Sequence, residues 1–395
     1  MNAAPTWQAD IDRPEFVLVA DARQTRLTCH GVVVRTWPGP LDALSWLERS
    51  WTELRLDPSQ RWIGHFSYEF GRLFEDLPDR RGTASPVLYR FGIGSNTDRP
   101  SPDVTSSTTF AIERSHTRIA YTMAAQRAID YIAAGDVFQI NLAQTFRVHG
   151  IAASPREVYA RMQQHTPAAF AAFQQFDDVA LLSNSPELFF RIEPQSDGSR
   201  HIINRPIKGT RPRGPGMREE LEASSKDKAE LAMIVDLQRN DLGRVCEIGS
   251  VRVVEPRAIE EHPTLYHGVA TIDGTLRRDA TLVDVLRAVF PCGSITGCPK
   301  IRAMQIIDEL EPWPRNEYCG ALGSIGSDGS AEFNVAIRTM IHRAGVYEIA
   351  VGSGIVADSG PDAEYYETIV KARAMFAALG LNADQVIEHL DHVDG

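Results

Sequence analysis

Several groups of residues in this sequence have types and spacings that could do chemistry. The segment SKDKAEL carries Asp227 and Glu230 three apart, and DAEYYETIVK carries Glu364, Glu367 and Lys371 at i, i+3 and i+7. On helices these spacings place each set on one face. Two helices that each offer two carboxylates could meet around one hard divalent cation. Magnesium takes one or two carboxylates, keeps several waters and adds substrate oxygens. The same pairs also fit solvated helix faces, with Lys371 as the i+4 partner of Glu367.

Anion chemistry is the second possibility. Arg338 stands on the less apolar face of an alternating segment, with Gly352-Ser353-Gly354 close behind it. Arginine clamps a carboxylate with two parallel hydrogen bonds, and glycine lets backbone amides approach an anion. A solvent-facing strand arginine is the plainer reading. The stretch INRPIKGTRPRG gathers Arg205, Lys208, Arg211 and Arg213 in a chain of net charge -11. A lysine is a nucleophile only when neutral, and its ordinary pKa is ~10.4. Burial and neighbouring cations such as Arg205 and Arg211 would lower it, although most loop lysines are surface lysines. Finally, FPCGSITGCPKIRAMQIIDEL is a glycine-bearing turn feeding an amphipathic helix, which aims backbone N–H groups at whatever sits there. It departs from GxxxxGK[ST], because Pro299 precedes Lys300 and Ile301 follows it. The mismatch argues against a nucleotide, and a tight strand-to-helix turn is the plain alternative.

The elements that must position these groups are strands and helices in mixed order. FVLVA (Phe16 to Ala20) and GVVV (Gly31 to Val34) read as short strands, LDALSWLERSW as a helix, and the aromatic WIGHFSYEFGRLFE as a wrap around a core edge. TDRPSPDVTSSTT (Thr97 to Thr109) is the best linker. HTRIAYTMAAQRAIDYIAAGD predicts a helix stopping at Gly135. In VFQINLAQTFRV, Phe138, Ile140, Leu142 and Phe146 share one strand face, opposite Gln139, Asn141, Thr145 and Arg147. SPELFFRIE and EFNVAIRTMIH alternate in the same way. MREELEASSKDKAELAMIVDLQRND predicts one long helix, YEIAVGSGIV a strand closing on a Gly-x-Gly turn, and DAEYYETIVKARAMFAALG a last helix capped by Gly380. There is no regular βαβ alternation, which favours an α+β architecture with largely antiparallel sheets.

The totals narrow the class. A chain of 395 residues with 43% hydrophobic and 24% charged residues suits a soluble protein of two domains, or one large one. Its acidity argues against nucleic-acid binding, yet leaves room for a small anionic substrate in a local basic site. Cys29, Cys246, Cys292, Cys298 and Cys319 are scattered and lack zinc spacing, as expected of reduced thiols. The polar N-terminus is not a targeting signal, and no apolar run approaches the ~20 residues of a membrane span. A cytoplasmic enzyme without a membrane partner is the expectation.

The blocks PIKGTRPRG, SKDKAELAMIVDLQRNDLGR, FPCGSITGCPKIRAMQIIDELEP, YCGALG, VAIRTM and GSGIVADSGPDAEYYETIVKA occur in this order between about Thr117 and Leu379. Together they resemble the signature of the chorismate-utilising enzymes, which include anthranilate synthase component I, aminodeoxychorismate synthase component I, isochorismate synthase and salicylate synthase. The resemblance implies two large, mostly antiparallel sheets packed together with helices outside and the site in the cleft between them. It divides the chain into a shortened N-terminal region, 1–115, and a chorismate-binding catalytic domain, 116–380. It implies Mg2+ held by Glu230 and Glu367, with Asp227 and Glu364 behind them through water. Arg338, Lys371, Tyr318 and the amides around Gly352 and Gly354 would hold the two carboxylates of chorismate. Thr210 would face the ring, His267 the departing 4-hydroxyl, and Glu187 would be the general acid, which needs a raised pKa.

Two positions select among the family's reactions. The water-adding members carry a lysine where this chain has Gln139, and glutamine is no general base. Anthranilate synthases carry alanine where this chain has Lys208. The pattern resembles aminodeoxychorismate synthase component I. There Lys208 would attack the ring and expel the hydroxyl, and ammonia would then displace the lysine to give 4-amino-4-deoxychorismate, a precursor of 4-aminobenzoate and folate. The chain has no GxCxGxQ glutaminase elbow, so ammonia would come free or from a glutamine amidotransferase subunit. Anthranilate synthase component I and a non-catalytic chorismate-binding scaffold are the alternatives. Cys292, Cys298, Gly268 and Ala270 depart from the family's usual residues, and none carries an assigned chemical role.

Overall fold

The computed structural model describes residues 9–77, 87–93, 110–382, 384–386 and 390. The linker expected at Thr97 to Thr109 lies outside them. Among the described residues two sheets dominate, one of eight strands and one of twelve, and every pairing is antiparallel except that of Ile11–Asp12 with Phe170–Gln175. Among the described residues no helix is long and apolar enough to cross a membrane.

Period-two alternation explains how the sheets stack. In strand Arg61–Phe66, Trp62 and Phe66 join the cluster beneath helices Pro40–Leu54 and Leu282–Val289, while Ile63 points the other way. Strand Ala321–Gly326 splits likewise, Ala321 and Ile325 against Leu322. From the eight-stranded sheet, Leu181 and Ile341 meet Ile63 and Leu322. Their neighbours Ala180, Leu182 and Met340 face a cluster built with helices Arg118–Ala133, Lys300–Leu310 and Pro361–Ala378. The order is helices, sheet, sheet, helices. Burial of each such leucine or isoleucine contributes about 1.5–3 kcal/mol. Strands from both the 1–115 and the 116–380 stretches hydrogen-bond within the twelve-stranded sheet, where Arg61–Phe66 pairs with Ala321–Gly326. WIGHF is therefore an interior strand rather than a core edge.

Two segments cross from one sheet to the other side by side, and here the alternating patterns break. Strand Ala180–Ser185 lies in the eight-stranded sheet and Leu188–Pro194 in the twelve-stranded one, with Glu187 at the corner. Ala331–Val335 and Thr339–Arg343 make the reverse passage, with Arg338 at their corner. Cross-bonds tie the corners: Val335 N–H to the Glu187 carbonyl at 3.0 Å, Asn184 N–H to the Arg338 carbonyl at 3.0 Å, and Ser185 Oγ to the Val335 carbonyl at 2.6 Å. EFNVAIRTMIH is thus two strands in two sheets. In SPELFFRIE a register shift after Leu188 buries Leu188, Phe189 and Phe190 consecutively, so strict alternation fails there.

Other boundaries also moved. The long helix breaks at Ser224, whose hydroxyl accepts from Asp227 N–H at 3.2 Å and caps Ser225–Gly243 after the short helix Met217–Ala223. Phe138 precedes strand Gln139–His149 and is 68% exposed, whereas Ile140, Leu142 and Phe146 are fully buried. Gly352-Ser353-Gly354 is no turn but the interior of strand Val346–Ile355.

Candidate active site

Lys208 is aimed by a bulge. Ile207 pairs with Val269 and Thr210 with His267, so strand Ile207–Pro212 carries one residue more than its partner between these pairs. Gly209 takes the extra turn at φ +86°, where a Cβ would lie 2.9 Å from Asp227 Cγ. Gly268 lets the partner strand approach, since a Cβ there would stand 2.6 Å from the Lys208 carbonyl oxygen. The Lys208 Nζ lies 3.9 Å from where a Cβ on Gly354 would be, across in the other sheet. Burial lowers the lysine's pKa and Lys371 adds to this, while Glu230, Glu187 and Glu367 oppose it. The depressing cation is therefore not Arg205 or Arg211. Arg205 pairs with Glu260, and Arg211 with Glu220 and Asp227.

Glu187 faces the same lysine from the sheet corner. It is 4% exposed, and burial pushes its carboxyl up to about 7 against the Ser294 hydroxyl, Lys208 and the Ile207 amide. Ser294 Oγ donates to its Oε1 at 2.7 Å. Near neutral pH this carboxyl is shared between its acid and base forms, the range suited to proton transfer. His267 is buried. Its Nδ1 lies 2.9 Å from Thr210 Oγ1, and its Nε2 has no partner among the described residues. Burial, Arg338 and His262 press its pKa down to about 3, so it is a neutral imidazole.

The opposite end is built for anions. In strand Gln139–His149 the amides of Asn141 and Ala143 bond to Thr296 and Glu311, away from strand Val346–Ile355. Their pairing partners Gly354 and Gly352 therefore turn their own N–H and C=O groups off this ladder. Beyond Ile349 that strand has no partner on its other side among the described residues. Lys371 Nζ reaches into the opening and donates to the Gly352 carbonyl at 2.9 Å. Side chains would crowd it, because a Cβ on Gly352 would lie 2.2 Å from Asn141 Oδ1 and 3.0 Å from Tyr318 Oη, and one on Gly354 2.8 Å from Gln139 Nε2. Arg338 sits at φ +49°, a left-handed conformation that costs a non-glycine residue of order 1 kcal/mol or more. Its guanidinium has no hydrogen-bond partner among the described residues, and burial lowers its pKa. A half-buried, unpaired guanidinium calls for an anion.

The helix acids stand nearby in pairs. Lys226 Nζ is 3.9 Å from Glu230, and Lys371 Nζ is 2.7 Å from Glu367. Burial raises the Glu367 pKa, but Lys371 and the Ser353 hydroxyl outweigh it and leave it lowered. Arg211 Nη2 lies 3.1 Å from Asp227, and Glu364 accepts from the hydroxyls of Ser353 and Ser359. Among the described residues, the trio of donors gathered within 4.8 Å is a different one, Glu15, Cys29 and His30. Glu230 and Glu367 both act on Lys208, and two carboxylates are as many as magnesium takes when it keeps several waters.

The turn after Phe290 has another task than phosphate binding. Lys300 is buried against Asp241 at 2.6 Å and the Val289 carbonyl at 2.9 Å, so it is already neutralised. The turn instead delivers Ser294 to Glu187. Sequence reasoning missed this, and it missed Asn141 beside Gly352. It also missed the buried pair Arg315–Glu311, in which Arg315 holds the carbonyls of Ile295 (3.0 Å) and Asn141 (2.6 Å) while Glu311 takes the Ala143 amide. ELEPWPR contains this pair at i,i+4, but nothing in its spacing marks it as buried.

The chain is similar to known proteins in sequence and in fold. The sequence profile of the family described as chorismate binding enzyme matches residues 40–377. The chain is 42% identical over 333 residues to anthranilate synthase component 1 1 of Haloarcula marismortui, covering 82% of this chain and 64% of that protein. It is 36% identical over 353 residues to aminodeoxychorismate synthase component 1 of Escherichia coli, covering 80% and 76%. The crystal structure of anthranilate synthase component I from Streptococcus pneumoniae superposes with a TM-score of 0.76 at 25% identity, over 95% of this chain and 93% of that one.

Proposed function

Because the chain belongs to the chorismate binding enzyme family, we propose that it aminates chorismate at the 4-position, in the manner of aminodeoxychorismate synthase component I. The observation that carries this reading is Lys208, bulged toward Gly354 among Glu187, Glu230, Glu367 and Lys371 with its pKa lowered by burial.

The unpaired Arg338 and the amides of Gly352 and Gly354, with Lys371 and Tyr318, hold the substrate's carboxylates. Glu230 and Glu367 would hold magnesium, which when bound would neutralise carboxylate charge, with Asp227 and Glu364 behind them. Neutral Lys208 attacks the ring, a C–N bond forms and the C4–O bond breaks. Glu187 gives its proton to the leaving hydroxyl, which departs as water beside His267 and Thr210. Ammonia then attacks C4, the lysine leaves as a neutral amine, and the proton lost by the new ammonium returns to Glu187. Gln139 supports the choice of amination, since it lies beside Gly354 and cannot act as a base toward water. A glutamine amidotransferase subunit would supply the ammonia, and the cytoplasm is the compartment that fits.

The second reading, anthranilate synthase component I, is favoured by the higher identity to the haloarchaeal protein. One experiment separates the two. Purified protein is given chorismate, magnesium and ammonium, and the product is followed with and without added aminodeoxychorismate lyase. We expect 4-aminobenzoate only when the lyase is present, and none from Lys208→Ala. Fluorescent anthranilate from the unaltered protein, or full 4-amino product from Lys208→Ala, overturns the proposal.

A further inference from the structure

Behind Glu187 runs a chain of hydrogen bonds that the reaction above does not use. Gln238 Nε2 donates to Cys292 Sγ at 3.6 Å, Cys292 Sγ lies 3.2 Å from Ser294 Oγ, and Ser294 Oγ lies 2.7 Å from Glu187 Oε1. All four residues are buried, at 2 to 6% exposure. They come from helix Ser225–Gly243, the turn after Phe290 and the sheet corner.

We infer that Cys292 is a positioning residue that fixes the direction of the Ser294 hydroxyl and thereby holds the acidic proton of Glu187 on Oε2. The argument is one of donors and acceptors. A serine hydroxyl has one hydrogen and two lone pairs, and a thiol is a weak donor and a weak acceptor. Ser294 spends its hydrogen on Glu187 Oε1, so toward Cys292 it can only accept. The sulfur accepts from Gln238, so its own hydrogen is free to donate to Ser294. The chain runs in one direction, Gln238 to Cys292 to Ser294 to Glu187. Burial pushes the Cys292 thiol up to about 12, with the Glu187 charge acting in the same sense, so the S–H survives throughout the working pH range.

The consequence concerns where the proton of the acid sits. With Oε1 held as an acceptor, a protonated Glu187 carries its hydrogen on the other oxygen. Without the thiol, Ser294 could turn round and accept from the carboxyl, drawing the proton away from the leaving group. The charged group acting on Glu187 is Lys208 from strand Ile207–Pro212; the other titratable group of the turn, the Cys292 thiol, stays uncharged, and the Ile207 amide and Ser294 add neutral donors.

The inference rests on Glu187 as general acid, so its test has an arm that does not need turnover. In the infrared spectrum the S–H stretch of Cys292 is assigned by its loss in Cys292→Ser. Ser294→Ala should move that band to the frequency of a free thiol. In kinetics, Cys292→Ala should lower kcat about five-fold, the worth of one neutral hydrogen bond. It should also move the alkaline limb of the pH profile upward, with KM for chorismate within two-fold. Cys292→Ser, which restores a donor, should return both. An S–H band indifferent to Ser294→Ala overturns the inference whatever the reaction catalysed. So does a Cys292→Ser variant whose pH limb differs from that of the unaltered enzyme, and this holds even if Cys292→Ala does not fold. A moved S–H band in a protein that makes no 4-amino product would support the hydrogen-bond chain and refute the reaction alone.

Discussion

Replacing Glu187 by glutamine should destroy activity and stabilise the protein, but only above a certain pH. The carboxyl is 4% exposed, and burial raises its pKa from 4.5 to about 7. Between these values the folded state keeps the proton and the unfolded state has lost it. Unfolding therefore releases a proton, and stability falls as pH rises through this window. At 1.36 kcal/mol for each tenfold change in proton affinity, the whole loss is about 3 kcal/mol. It is absent below pH 4.5 and complete above pH 7. Glutamine has the same shape and no charge, so Glu187→Gln escapes it. Urea denaturation of both proteins should give similar stabilities at pH 4.5, and at pH 8 the variant should lead by about 3 kcal/mol. Chorismate turnover should fall by about 10²- to 10⁴-fold, as expected for a lost general acid. A stability difference that does not grow between pH 4.5 and pH 8 would refute the raised pKa, and with it the physical reason for assigning this residue the acid role.

Other perturbations test the rest of the site. Glu230→Gln should sharply raise the magnesium concentration needed for half-maximal activity; an unchanged requirement removes Glu230 from the metal site. Gly354→Ala places a Cβ 2.8 Å from Gln139 Nε2, and overpacking of about 1–2 kcal/mol should lower kcat/KM roughly ten-fold. Unchanged kinetics would mean that the strand yields and that the glycine is not there for space. Glu311→Gln leaves the Arg315 charge buried without its carboxylate and should cost about 3–5 kcal/mol in urea denaturation, whereas Glu311→Gln with Arg315→Gln should cost less than Glu311→Gln alone. A double variant less stable than the single would show that the two do not act as a pair.

The α+β architecture of two antiparallel sheets with helices outside was legible in the sequence, and it is the fold shared with the streptococcal anthranilate synthase component I. Period two and the helical spacings survive folding because each rests on local geometry. Reading failed where tertiary contacts override local pattern. Arg338 stands out in the sequence as an anion clamp but reads as part of one strand, because nothing in EFNVAIRTMIH says that the chain changes sheets at Ile337 and Arg338. Gly352-Ser353-Gly354 looked like a turn because glycine usually marks one, and only Asn141, Tyr318 and Gln139 on other segments explain why side chains are excluded from a strand. The cations credited with activating Lys208 were neighbours in sequence, whereas the one that acts, Lys371, is a neighbour in space. Ser294 gave no signal, since a serine inside a tight turn is what a turn ordinarily contains, and Cys292 stood out only as a departure from the family's usual residue.

The placement of Glu187 and Arg338 has a mechanical consequence. Each is strung on a short covalent bridge between the sheets, and the bridges are laced to each other by three hydrogen bonds. The distance from proton donor to anion clamp is therefore as stiff as the sandwich itself. Lys208, by contrast, rides a bulged terminal strand paired, among the described residues, with one neighbouring strand. Such a molecule is a rigid chassis carrying an exchangeable tool. Substitutions at the rim can alter which bond is made without disturbing where the substrate is gripped, so new reactions are best sought by varying positions 207 to 212 while the two corners stay untouched.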